Sequence, residues 1–221
     1  MNKKSKWNFI PIREAKMMHS IFPQRPSDVP TRGTPFSRKI FQKLFSCTGW
    51  SIQGEIPNAP KAVAIFAPHT SNMDGWHAFL AILGLGIKVH VFGKHTLFKP
   101  PFRHLLNWVG IMPVDRRSPH GLTQQIIQSI TQHEKIWVGI APEGTRLNAE
   151  KFKSGFYHIA LGANIPIIMF SIDYEKQILY CLGQFLPTHD YEHDFASILQ
   201  HYHNHFSPKH PERLSKPLQK Q

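Results

Sequence analysis

Two short apolar runs, Lys61-Ala62-Val63-Ala64-Ile65-Phe66-Ala67 and Lys135-Ile136-Trp137-Val138-Gly139-Ile140-Ala141, constrain the fold of this chain more than any other feature. Each has the length and composition of a buried strand, and each runs into a polar turn. The first is followed by His69-Thr70-Ser71-Asn72-Met73-Asp74 and then by an apolar, helix-like stretch from Trp76 to Ile87. The second is followed by Pro142-Glu143-Gly144-Thr145-Arg146. In open α/β sheets ligands bind outside the carboxyl ends of strands, so two polar turns leaving two apolar strands are expected to share one crevice.

The rest of the chain keeps this alternation. Strand-like runs are expected at 88–92, 111–114, 165–172 and 177–182, and helical spacing at 102–109, 120–133, 155–161 and 191–206. The expected fold is α/β: a single domain with a mostly parallel or mixed sheet flanked by helices. Residues 1–35 carry Pro11, Pro23, Pro26, Pro30 and Pro35 and read as an irregular leader. Residues 36–207 form the domain, and 208–221 read as a basic, disordered tail.

The spacing of His69 and Asp74 carries little by itself. With 15 His and 6 Asp in 221 residues, chance alone gives about 0.4 such pairs, and a second one occurs at His189 and Asp194. Setting separates them. On a helix a five-residue step leaves side chains about 140° apart, and on a strand it puts them on opposite faces. Only an irregular turn lets them meet, and Thr70, Ser71 and Asn72 favour one. The second pair lies in a polar run with no strand before it and reads as a solvated helix start. For the first pair a plainer alternative stands, because Ser71-Asn72-Met73-Asp74 has the form of a capping box.

In the second turn, Gly144 permits a tight bend, and Arg146 offers a planar fork suited to phosphate or carboxylate oxygens. The plainer alternative is an ordinary Pro-Glu-Gly turn with a solvated Glu-Arg pair.

With both turns in this order, the chain resembles the glycerolipid acyltransferases, the family that includes lysophosphatidic acid (1-acylglycerol-3-phosphate) acyltransferases, over residues 45 to 185. The family's first block, a His-x4-Asp, is matched by His69 and Asp74. Its second is matched by Gly110-Ile111-Met112-Pro113-Val114-Asp115-Arg116, with Lys94, Leu97, Phe98 and Pro101 upstream. Glu143 to Arg146 match the Glu-Gly-Thr-Arg block, and Ile165-Pro166-Ile167-Ile168 the fourth.

The resemblance implies that His69 is the general base and that Asp74 holds and polarises it. It also implies that Arg116, Glu143, Gly144, Thr145 and Arg146 bind the acceptor, with Lys94 and Lys153 near the phosphate. Residue chemistry agrees: a His within reach of an alcohol hydroxyl can take its proton as it attacks a thioester carbonyl. No Gly-x-Ser-x-Gly elbow occurs, which fits direct attack by the acceptor. The implied donor is an acyl-CoA or acyl carrier protein thioester, used as co-substrate, with no resident cofactor or metal. The implied acceptor is a lysophospholipid, lysophosphatidic acid first among them. Pro68 stands where Asn is common and Leu147 where a small polar residue is common, which leaves another lipid acceptor, such as a lyso amino-acid lipid, open. Arg117 adjoins Arg116, so which of them reaches phosphate is open too, and Lys153 has a solvated surface role as its alternative.

Twenty-six Lys and Arg against 14 Asp and Glu give a net charge of +12, a surface that seeks anions. No motif of interleaved aromatic and basic residues marks a nucleic-acid binder, so an anionic membrane surface is the expected partner, with a non-enzymatic basic module as the rival reading. No apolar run reaches the 18 or so residues of a membrane span, and no apolar core follows Lys3, Lys4 and Lys6. In Phe36 to Phe45, Ile40, Phe41, Leu44 and Phe45 share helical spacing against Arg38, Lys39 and Lys43, the pattern of either an interfacial or a core-packed helix. Cys47 and Cys181 are too few for a disulfide framework. The expected location is the cytoplasm, peripherally associated with the inner face of the cell membrane.

Overall fold

The run at 61–67 forms the central strand of the sheet. The computed structural model describes residues 21–94, 110–114 and 121–219. Within them lie the strands β1 (Ser51–Gln53), β2 (Lys61–Phe66), β3 (Val89–Lys94), β4 (Ile111–Val114), β5 (Ile136–Ile140), β6 (Ile167–Asp173) and β7 (Ile178–Phe185). The helices are α1 (Pro35–Ser46), α2 (Asn72–Leu85), α3 (Gly121–Thr131), α4 (Gly155–Ala163), α5 (Tyr191–Tyr202) and the short α6 (Lys216–Gln219). One mixed sheet runs in the order β1-β7-β6-β2-β5-β3-β4. β2 is parallel to β5 and β6, as are β3 to β5 and β4 to β3. The antiparallel β6–β7 hairpin reverses direction, and β1 follows β7.

β2 reads as an unbroken apolar run because both of its faces are buried. Val63, Ile65 and Ala67 face one core with Ile136 and Val138 of β5, Ile167 and Met169 of β6, and residues of α3, α4 and α5. Ala62 and Ala64 face the other, with Trp137, Ile168, Phe45 of α1 and Leu80, Ala81 and Leu85 of α2. Pro113, which cannot donate to a ladder, sits in the edge strand β4.

α1 opens with a capping box between Thr34 and Ser37 and Pro35 in its first turn. Its apolar residues divide: Phe45 is buried and Phe41 packs against the second core. Phe36, Ile40 and Leu44 are 74%, 44% and 50% exposed. No helix among the described residues is long and apolar enough to cross a membrane.

Two expectations are corrected here. Residues 208–219, read from composition as disordered, are folded: a 3-10 turn at Pro211–Arg213 leads into α6, and Ser215 and Leu218 are buried. Lys216 N–H donates to the Ala149 carbonyl at 2.9 Å, and Leu218 joins the first core. A few apolar anchors and backbone hydrogen bonds outweigh a basic composition. The His189–Asp194 pair does stand at a helix start, that of α5, but Asp194 is not solvated. Asp194 is fully buried and accepts from Tyr157 Oη at 2.8 Å and from the Thr188 N–H and Oγ1 at 2.6 and 2.7 Å. Asp190 caps α5 instead. The expected 102–109 helix, Arg116, Arg117, Leu97, Phe98 and Pro101 lie outside the described residues.

Candidate active site

β2 and β5 are hydrogen-bonded neighbours with Ile65 opposite Ile140, so the turns leaving their carboxyl ends lie side by side. Two hydrogen bonds tie the turns together. Glu143 Oε2 accepts the His69 backbone N–H at 2.6 Å, and Arg146 Nη1 donates to Asn72 Oδ1 at the start of α2. His69, Asp74, Glu143 and Arg146 are therefore one cluster, as the two-turn pattern predicts.

Asp74 is both helix cap and partner of the histidine. Ser71 Oγ accepts the Met73 N–H, while Asp74 Oδ2 accepts the Ser71 and Thr70 N–H groups at 2.7 and 2.6 Å. The same Oδ2 lies 3.5 Å from His69 Nδ1. That separation is longer than an aligned hydrogen bond. Oδ1 accepts from Tyr174 Oη at 2.7 Å. Burial alone would raise the Asp74 carboxyl, but the contacts from His69, Tyr174, Ser71 and Thr70 outweigh it and hold the carboxyl below its ordinary range. Asp74 is thus an ionised, immobile acceptor facing a half-buried imidazole. The Tyr174 hydroxyl, in turn, is pushed up by burial and by the carboxylate it serves. Its ring meets the edge of Trp50, and Trp50 stacks on His77 with centroids 4.3 Å apart.

Glu143 is 3% exposed, and both its oxygens are taken: Oε2 by His69 N–H and Oε1 by Ser215 Oγ at 3.0 Å. Burial raises its pKa against the opposing hydrogen bonds from Ser215 and His69. Gly144 has φ +66°, and a Cβ there would come within 2.7 Å of Lys153 Cε, so the missing side chain lets the Lys153 stem lie across the turn. Thr145 and Arg146 are exposed beside it, with Thr145 Oγ1 accepting the Leu147 N–H at 3.2 Å. Lys94 is the last residue of β3, paired in register with Val114, at the same carboxyl edge of the sheet but two strands from β2.

Tyr174, Arg213 and Ser215 were not legible as site residues. Tyr174 follows β6, which lies parallel beside β2, so the rule that ligands gather at strand ends could have pointed to it. For Arg213 and Ser215 the sequence holds no signal; tertiary contact alone brings them in.

The geometry defines an α/β protein whose histidine, at a strand-to-helix turn, is backed by a buried carboxylate. A family model described as Acyltransferase matches residues 51–173, and the chain belongs to that family. It is 29% identical over 138 residues to a 1-acyl-sn-glycerol-3-phosphate acyltransferase of Haemophilus influenzae, covering 58% of this chain and 56% of that protein. With a protein of the same name from Escherichia coli it shares 29% over 156 residues, 66% of this chain and 60% of that one. The Salmonella typhimurium protein of that name is 30% identical over 155 residues, covering 66% and 60%. The matches thus span under two thirds of these relatives' lengths. The crystal structure of PlsC, the 1-acyl-sn-glycerophosphate (LPA) acyltransferase of Thermotoga maritima, shares the fold, with a TM-score of 0.53 at 18% identity over 73% of each chain.

Proposed function

We propose that this protein moves a fatty acyl group from an acyl-CoA or acyl carrier protein thioester to the hydroxyl of a lysophospholipid, with lysophosphatidic acid as the first-ranked acceptor, in phospholipid biosynthesis. The observation that carries the reading is Asp74, buried, ionised and pinned by three donors while it faces His69 Nδ1. With Nδ1 held toward Asp74, Nε2 is the nitrogen that takes a proton. The acceptor hydroxyl gives that proton to His69 as its oxygen attacks the thioester carbonyl, the C–S bond breaks, and the proton passes to the leaving thiolate. No resident cofactor or metal enters these steps.

In this reading Glu143, buried and doubly hydrogen-bonded, braces the His69 turn and is not a ligand of the acceptor. Arg146, Thr145, Gly144 and Lys153 line the exposed side and are the residues assigned to the acceptor phosphate. The exposed Phe36, Ile40 and Leu44 with Lys39 and Lys43 suit the surface of an anionic bilayer. The protein lies peripherally on the cytoplasmic face of the membrane and takes its acceptor from there.

The test is mass spectrometry of products after incubation with mixed acyl donors and a lysophospholipid panel. An acylated product is expected, and His69→Ala is expected to cut turnover by about 10²–10⁴-fold while the protein stays folded. A folded His69→Ala variant with most of its activity would overturn the assignment, and a wild-type protein that acylates no member of the panel would overturn the function.

A further inference from the structure

The segment from Ser207 to Leu218 lies beyond the residues the family model matches, yet it runs along the carboxyl edge of the sheet. Ser207 exchanges hydrogen bonds with the end of β6: its carbonyl accepts the Tyr174 N–H at 3.0 Å, and its N–H donates to the Ile172 carbonyl at 3.2 Å. Farther on, the His210 N–H reaches Thr70 Oγ1 at 3.4 Å, and Arg213 Nη1 donates to the Thr70 carbonyl at 3.3 Å. Ser215, with no exposed surface, donates to Glu143 Oε1. The catalytic histidine and the residue after it are thus both gripped: Thr70 directly, the His69 N–H through Glu143.

We propose that this C-terminal strap positions the general base, with Ser215 and Arg213 as its two working contacts. The inference rests on the acyl-transfer reading only for its kinetic consequence; the positioning itself is a property of the fold. A buried carboxylate with one unsatisfied oxygen would seek another donor, and the nearest flexible solution is to shift the Glu143 carboxyl and the His69 N–H it holds. Ser215 removes that freedom. Burial raises the Glu143 pKa while the bonds from Ser215 and the His69 N–H lower it, so removing the Ser215 donor makes the ionised carboxyl costlier to keep where it is. Neither residue touches the reacting atoms, so both are positioning residues.

The experiment compares wild type, Ser215→Ala, Arg213→Ala and a stability-matched core variant, Ile130→Val, by steady-state kinetics and by hydrogen–deuterium exchange of the 67–74 segment. Ser215→Ala is expected to lower kcat about tenfold, the scale on which slight misplacement of an activating group acts, with the acceptor KM within about twofold. Its 67–74 amides should exchange faster than those of Ile130→Val at equal stability. Arg213 is partly exposed, so Arg213→Ala is expected to fold and gives the same readouts should Ser215→Ala not fold. Loss of kcat and protection no greater than in Ile130→Val would overturn the strap's role. If wild type acylates nothing, the acyl-transfer reading fails by itself. The exchange arm then still decides the strap: faster exchange supports it, and unchanged protection overturns it.

Discussion

Asp74 shows how one side chain can satisfy a local rule and a distant one together. Its Oδ2 closes the capping box of α2 and faces His69, and its Oδ1 takes a hydroxyl from Tyr174, one residue past β6. Because its folded pKa is depressed, Asp74 contributes stability that is fully present above its unfolded value, near 4. That stability is lost as pH falls through the lower folded value. Tyr174→Phe removes one of the holding bonds. It is expected to cost about 1.5–3 kcal/mol at pH 7 and less at pH 3, which chemical denaturation at the two pH values will measure. An equal loss at both would show that Tyr174 does not hold the carboxylate. At this scale the sequence was half legible. His69 and Asp74 stand in a recognisable turn, and the capping-box and catalytic readings of Asp74 describe the same geometry. Tyr174 and Ser215 are single polar residues with no periodic pattern, and their partners are fixed only by tertiary structure. The solvated reading of Asp194 fails for a related reason: it stands in a polar run, and only its contact with Tyr157 of α4 shows it buried.

Among the elements, the strands were the most legible, since a strand buried on both faces needs a continuous apolar run and β2 and β5 have one. α1 was less so. Helical spacing placed Ile40, Phe41, Leu44 and Phe45 together, but packing on α2 splits them, taking Phe41 and Phe45 inward and leaving Phe36, Ile40 and Leu44 out. Lys39 and Lys43 flank the exposed stripe. Replacing Ile40 and Leu44 by Ser removes apolar surface that the fold does not use. The double variant is expected to keep its melting temperature within about 2 °C and to bind vesicles of anionic phospholipid at least about tenfold more weakly. Vesicle co-sedimentation and thermal melting check this, and unchanged partitioning would show that α1 makes no membrane contact.

Over the whole molecule, the site is assembled from four separated stretches: the two turns after β2 and β5, the residue after β6, and the strap at 207–218. Removing residues 208–221 takes away Leu218 from the core as well as the donors to Glu143 and Thr70. The truncated chain is expected to lose at least about 2 kcal/mol of stability and the proposed acyl transfer. Denaturation and product analysis will show whether it instead keeps both. Composition could not reveal this, because a basic, Pro-containing tail with two buried anchors has nearly the composition of one with none. The central place of β2 carries one more consequence, for how the molecule is made. β2 is synthesised before both of its partners, with Ala62 opposite Trp137 on one side and Val63 opposite Ile167 on the other. Until then an apolar strand waits with both edges open. Closing two long loops slows folding, and an unpaired strand of this kind is where chains associate wrongly. The strand that best announces the fold therefore stays open to wrong pairing until both of its partners have been made.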